Sequence, residues 1–287
     1  MRYATPENFR RALEDRLRTQ AGPAGVTVQR LRRRTVFERI LVRLETAAPG
    51  RWVLKGGMAL EIRLGDRARR TRDLDLALRS EQRDGEAVRD LLVDSLSDDP
   101  QEDAFTFEVG PPDALATDEA GRPGWRFHVD AGLAGRLFDS VRLDIVARSA
   151  EIVRTIRRPL PGMLSFAEVP SLDVEVVDSA QHFAEKLHAY TSEYGDRPNM
   201  RVRDLPDMVL LIEDGLEPSR DLVGVVHDLF AERALQDVPK RLPDPPPQWS
   251  GPYSGLADDM DIAPKHLDGA VGVVRAFWER ALAAKET

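Results

Sequence analysis

Residues 51–78 constrain the fold of this chain more than any other stretch. They read Arg51-Trp52-Val53-Leu54-Lys55, then Gly56-Gly57, then 15 further residues, then Asp73-Leu74-Asp75-Leu76-Ala77-Leu78. The last run alternates with the period of a β-strand, which puts Asp73 and Asp75 on one face and turns Leu74 and Leu76 toward a core. The first run is a short strand stopped by two glycines, and residues 58–64 suit a short helix. A third acid stands in another strand-like run, Leu143-Asp144-Ile145.

Around this unit the periodicity predicts a helix opening at Thr5-Pro6-Glu7, where threonine caps and proline takes the first helical position. Gly22-Pro23 and Gly25 end it. A second helix is expected over 28–47, with Leu31, Phe37, Ile40, Leu41 and Leu44 on one stripe and Arg30, Arg33 and Arg34 opposite. A helix over 84–96 follows, then strands at 105–109, 125–129 and 141–147 whose spacing suggests an antiparallel extension of the sheet, and a short one at 174–177. Residues 111–123 and 239–252 read as loops. From Ser179 onward the pattern is helical, with helices around 179–190, from about Arg203 through Leu211, over 222–234 and over 265–284. The helix bearing Asp204 and Asp207 starts near Arg203 because Pro206 is tolerated only in a first turn. The expected fold is α+β, a mixed sheet with flanking helices followed by a helical C-terminal half, with domains at 1–178 and 179–287.

The residue types then narrow the chemistry. Two aspartates at i and i+2 of a strand can ligate the same metal ion or ions, and a third carboxylate on a neighbouring strand completes a two-metal site. The expected ligands are Asp73, Asp75 and Asp144. With no cysteine in 287 residues, any metal must sit on carboxylates or histidines, and carboxylates favour Mg²⁺ or Mn²⁺. A glycine pair at a strand-to-helix turn lets backbone approach a triphosphate, and the helix N-terminus turns N–H groups toward it. The five histidines lack ligand spacing, and His182 and His188 read as structural or surface residues. Trp52 and Trp125 read as core.

The net charge of −8 conceals an asymmetry: residues 1–80 hold 19 Arg and Lys against 9 Asp and Glu, and the remainder 22 against 40. The basic set Arg30, Arg32, Arg33, Arg34, Arg67, Arg69, Arg70 and Arg72 could guide a polyanion such as RNA, or pair with the acidic half of the same chain. No apolar run nears the roughly 20 residues that span a bilayer, and the first residues lack a secretory apolar core, so no membrane partner and a cytoplasmic location are expected.

The order of strand, Gly-Gly, helix, Asp-x-Asp strand and later Asp strand resembles the DNA polymerase β-like nucleotidyltransferases. The words Val53-Leu54-Lys55-Gly56-Gly57-Met58-Ala59-Leu60, Arg70-Thr71-Arg72-Asp73-Leu74-Asp75, Glu185-Lys186-Leu187-His188-Ala189 and Arg203-Asp204-Leu205-Pro206-Asp207 resemble the AbiEii toxin family, and their order is most similar to its MenT-type branch. The resemblance spans about residues 25–285. It implies a toxin of a toxin–antitoxin pair that uses an NTP with Mg²⁺ or Mn²⁺ and adds nucleotides to the 3′ end of tRNA. It also implies a cognate antitoxin, AbiEi-like or kinase-like.

By the same resemblance Lys186 contacts NTP phosphates, Asp204 orients Lys186 or the nucleotide, and Arg203 is a phosphate contact. Gly56 and Gly57 line the nucleotide, and Lys55 is open to a phosphate contact or a plain surface role. Asp207 reads as a helix-surface acid. Thr71, two residues before Asp73, takes the place at which kinase-like partners phosphorylate, where a phosphate would oppose triphosphate binding. The alternative is a plain loop threonine. The chain departs from its relatives in having Gly56-Gly57 where many have Gly-Ser, and Met58 where a serine can stand, so a hydroxyl that could touch the triphosphate is missing. Two other functions fit less of this pattern: the same chemistry on a protein hydroxyl or a small molecule such as an aminoglycoside, and a non-catalytic RNA-binding module.

Overall fold

The computed structural model describes residues 2–24, 26–115, 123–148, 152, 154–193, 198–233 and 236–285. The expected break at Gly25, part of the expected 111–123 loop and the helix end at Ala234 lie outside them.

In chain order the elements are α1 (Pro6–Ala24), α2 (Val28–Ala47), β1 (Trp52–Lys55), α3 (Gly56–Leu64), β2 (Asp73–Leu78), α4 (Gly85–Ser97), β3 (Phe105–Val109), β4 (Asp113–Ala114), β5 (Gly124–Leu133), β6 (Arg136–Ala147), β7 (Thr155–Pro159), β8 (Asp173–Val177), α5 (Ser179–Thr191), α6 (Asp204–Glu213), α7 (Arg220–Arg233), α8 (Ser250–Asp259) and α9 (Leu267–Lys285). The chain divides into two units. The first comprises Met1–Ile62, Arg70–Ser149 and Ile156–Val176, and the second Arg63–Arg69, Ala150–Thr155 and Val177–Thr287.

The first unit is built on a mixed sheet of order β3-β5-β6-β2-β1-β8-β7, with β4 on β5. β3, β5 and β6 form an antiparallel meander, as their spacing predicts. β2 joins it by pairing parallel to β6 and antiparallel to β1. β5 and β6 run longer than expected, and β7 was not foreseen: its pattern Thr155-Ile156-Arg157-Arg158-Pro159 has no buried residue, as suits an edge strand. The strand alternation puts Leu74, Leu76, Phe127, Leu143 and Ile145 on one sheet face, all fully buried.

Helix α2 starts on a Thr27 cap, whose side chain accepts from the Arg30 amide. It is buried around more of its circumference than one apolar stripe predicts. Arg39 and Arg43 are each 1% exposed, and Arg43 Nη2 donates to Asp103 Oδ1 at 2.7 Å while Arg39 Nη2 donates to Glu38 Oε1 at 2.7 Å. Buried charge is tolerable when paired and hydrogen-bonded. Burial pushes Glu38 above the ordinary carboxylate range, with Arg39 opposing. Burial acts the same way on Asp103, but the hydrogen bonds and charge of Arg43 overcome it and hold that acid low.

The second unit packs α5 against α6 and α7, and α9 against α6 and α7, around Phe183, Leu187, Met208, Val226, Phe277 and Trp278. Residues 239–252 are not one extended loop. Pro247–Trp249 forms a 3-10 turn and α8 starts at Ser250, with Pro252 in its first turn, where the missing N–H costs nothing. Trp249 anchors this turn: it is buried, and its Nε1 donates to the Asn199 carbonyl at 2.8 Å. α6 starts at Asp204 with Pro206 in its first turn, as expected.

Candidate functional site

Strand register decides which side chains share the open face of the sheet. Lys55 lies opposite Asp75 across β1–β2, Asp75 beside Asp144 across β2–β6, and Asp144 opposite Arg126 across β6–β5. Register partners project to the same face, and neighbouring strands lie about 4.8 Å apart. Lys55, Asp75, Asp144 and Arg126 therefore form one row across four strands, with signs plus, minus, minus, plus. The adjoining row on that face holds Asp73 beside Arg142, with His128 opposite Arg142.

Two arginines close on the acids. Arg126 donates Nε to Asp144 Oδ1 and Nη2 to Asp144 Oδ2, both at 2.7 Å. Arg142 Nε donates to Asp73 Oδ1 at 2.6 Å. The hydrogen bond to Asp144 raises the Arg126 pKa; burial opposes it, and the charges of Asp144, Asp73 and Asp75 add to the rise. One guanidinium thus feels all three aspartates. Sequence reasoning missed both arginines. Arg142-Leu143-Asp144 and Arg126-Phe127 are in phase with the acids, but only the register sets them side by side.

Gly56 ends β1 and opens α3 with φ +62°. A Cβ there would lie 1.9 Å from Asp75 Oδ2 and 2.6 Å from Asp75 Cγ. Only glycine fits, and the group approaching its backbone is the protein's own carboxylate. Asp75 is thereby held at the N-terminus of α3, where helix N–H groups and dipole favour negative charge. Thr71 Oγ1 donates to the Asp73 carbonyl at 3.0 Å.

Among the described residues, no three His, Cys, Asp or Glu side chains are gathered closely enough to hold a metal ion. The donor chemistry is nonetheless that of a hard cation: three carboxylates on one face of two adjacent strands, Asp75 and Asp144 in register, with cationic guanidiniums already on Asp73 and Asp144.

The second unit holds its own charged cluster. Lys186 Nζ lies 2.8 Å from Asp204 Oδ1 and 2.9 Å from Asp207 Oδ2. Arg69 Nε reaches Asp207 Oδ1 at 3.0 Å, and Arg201 Nε reaches Asp204 Oδ2 at 2.8 Å. Five groups thus alternate in sign. Lys186 and Asp204 come together as expected. Asp207 does not stand on the helix surface: it is 0% exposed, because it shares with Asp204 the α6 face turned to Lys186. Burial pushes Lys186 down, yet Asp204 and Asp207 reverse this and hold it above the ordinary lysine range. Burial pushes Asp204 and Asp207 up, and Lys186 with the arginines reverses that and holds both low.

Depressed carboxyls stabilise above their unfolded-state range, and that contribution is lost as pH falls through the folded values. The raised lysine stabilises below its unfolded value and loses its contribution only as pH rises through the folded one. Urea unfolding between about pH 3 and 7 is expected to show stability falling on the acid side, with a shallower fall in Asp207→Asn. An acid limb equally steep in that variant would remove Asp207 from the linkage.

The expected RNA-guiding arginines divide. Arg69 is committed to Asp207, Arg30 and Arg34 bond Glu61, and Arg67 bonds Glu213. Much of the basic set therefore neutralises the chain's own acids. Arg33 is half-buried, while Arg70, Arg72 and Arg203 are exposed. Trp52, Trp125, His182 and His188 are buried.

The sequence profile of a family described as nucleotidyl transferase AbiEii toxin, type IV TA system, matches residues 39–280. No curated protein matches the chain. Among solved structures, similarity extends to a candidate nucleotidyltransferase from H. pylori, 15% identical, covering 88% of this chain and 93% of that one with a TM-score of 0.39. An antigenic nucleotidyltransferase-like protein from Paracoccidioides brasiliensis is 16% identical, covering 70% of this chain and 88% of that one, also with a TM-score of 0.39.

Proposed function

Since the chain belongs to the AbiEii nucleotidyltransferase toxin family of type IV toxin–antitoxin systems, we propose that it transfers a nucleoside monophosphate from an NTP to the 3′ end of tRNA and so blocks translation. The observation that carries this reading is the in-register row of Lys55, Asp75, Asp144 and Arg126, with the Asp75 carboxylate seated against Gly56 at the opening of α3.

In this reading Asp73, Asp75 and Asp144 hold Mg²⁺ or Mn²⁺. A bound divalent ion lowers the pKa of the attacking hydroxyl and neutralises charge on the leaving pyrophosphate. The chain's own residues do the rest. The N–H groups at the start of α3 face the triphosphate, and Lys55 supplies positive charge for it. In the second unit, Lys186 and Arg203 are phosphate contacts by the family resemblance. Asp204 and Asp207 fix the Lys186 ammonium. The acceptor oxygen bonds to the α-phosphorus as the bond to the bridging oxygen breaks, and pyrophosphate departs. The acceptor proton passes to Asp144. Exposed Arg70 and Arg72 contact acceptor phosphates, which gives affinity without sequence choice. The partner is a cognate antitoxin, AbiEi-like or kinase-like. Thr71, bonded to the Asp73 backbone, is where a phosphate from a kinase-like partner would add negative charge beside the acids. Among the described residues no helix is long and apolar enough to cross a membrane.

Incubation with each α-labelled NTP and total tRNA is expected to place label on tRNA 3′ ends. Asp73→Ala should abolish both the labelling and the growth arrest on expression. Label confined to protein or small acceptors would move the activity to another acceptor class, and growth arrest undiminished by Asp73→Ala would remove catalysis as its cause.

A further inference from the structure

Asp73, Asp75 and Asp144 stand on two adjacent strands of one sheet face. Carboxylates sharing one face attract cations. The chain supplies them itself. Arg126, from the strand on the far side of Asp144, takes both oxygens of that acid in a two-pronged bond. Arg142, in register beside Asp73, takes Oδ1 of that one. A carboxylate oxygen bonded to a guanidinium is not available to a metal ion. Both pairs are partly open to solvent, with side chains 31% and 19% exposed for Arg126–Asp144 and 38% and 29% for Arg142–Asp73. Pairs of this kind are individually weak. Arginine also stays protonated at all working pH values, so the competition does not relax with pH.

We propose that Arg126 and Arg142 are internal counter-cations that occupy Asp144 and Asp73 in the metal-free protein and are exchanged for a divalent ion when the site loads. This rests on the reading of the three aspartates as metal ligands and adds regulation of that site. The exchange sets a threshold on metal binding. It also frees two guanidiniums on the face where an anionic nucleotide arrives. Arg126 and Arg142 are thus positioning residues that act through the carboxylates.

The test uses Mn²⁺ alone, without nucleotide, titrated into the full chain and followed by calorimetry and by the electron paramagnetic resonance signal of free Mn²⁺. Arg126→Gln is expected to bind Mn²⁺ about two- to fivefold more tightly than the unaltered chain. It should melt at a lower temperature in EDTA, yet gain more from added Mn²⁺. Arg142→Gln should behave alike from the other pair, and it carries the test if Arg126→Gln does not fold. Binding that is unchanged or weaker in a folded variant overturns the exchange. Asp73→Asn separates this from failure of the underlying reading. If Asp73→Asn binds Mn²⁺ as the unaltered chain does, or no form binds it, the aspartates are not the metal site and the exchange falls with that assignment.

Discussion

Lys186→Met is expected to destabilise the helical unit by about 3–5 kcal/mol, because it strands two buried carboxylates rather than because the lysine contributes that much by itself. Asp204 is 2% exposed and Asp207 is 0% exposed. Their partial compensation by Arg201 and Arg69 sets the lower end of the range. Replacing Lys186, Asp204 and Asp207 together with Met, Leu and Leu should recover most of the loss, since an apolar set of similar volume leaves no unpaired charge in the core. Urea denaturation followed by tryptophan fluorescence measures both, with Trp249 and Trp278 reporting from within the same unit. A cost below about 1 kcal/mol for Lys186→Met would mean that water reaches the cluster and the charges are not isolated.

Gly56→Ala is expected to lower nucleotide transfer on the order of 10²-fold, the scale of a roughly 1 Å displacement of a reacting group. The added Cβ would fall 1.9 Å from Asp75 Oδ2, so either the carboxylate or the α3 turn must move. The positive φ adds about 1–3 kcal/mol of backbone strain. Gly65→Ala is the control. Gly65 has φ +61° but nothing within 4 Å of its hypothetical Cβ, so that variant suffers the backbone term alone. Transfer rates and melting temperatures of the two variants separate strain from collision. If Gly56→Ala keeps its rate within about threefold of the Gly65→Ala value, the seat of Asp75 against the turn is not part of the chemistry.

The acidic face of β2 was legible because a period of two leaves little choice: if Leu74 and Leu76 are in the core, Asp73 and Asp75 are not. The glycine pair was legible as a turn that another group must approach closely, and the side chain that does so at Gly56 is Asp75. The pairing of Asp75 with Asp144 was only an expectation, because register between strands far apart in the chain is set by the whole sheet. Arg126 and Arg142 were overlooked for that reason. Asp207 was misread because an acid in a helix's first turn commonly faces solvent, and nothing local shows that α6 is enclosed on the face Asp207 shares with Asp204. In α2, Arg39 and Arg43 sit between apolar residues, and their burial becomes visible only once Asp103 and Glu38 are seen as partners. The proline-rich stretch concealed α8 because prolines mark loops unless they fall in a first turn, as Pro252 does.

The parallel pairing of β2 with β6 has a consequence for synthesis. Asp73 and Arg142 are 69 residues apart in sequence, and Asp75 and Asp144 are offset alike. At roughly 5–20 residues per second, a ribosome needs about 3–14 s to deliver the second half of this site after the first. Closing so long a span is also slow relative to local hairpins. A growing polypeptide therefore carries the acids of β2 for seconds before β6 exists to bring Asp144 beside them.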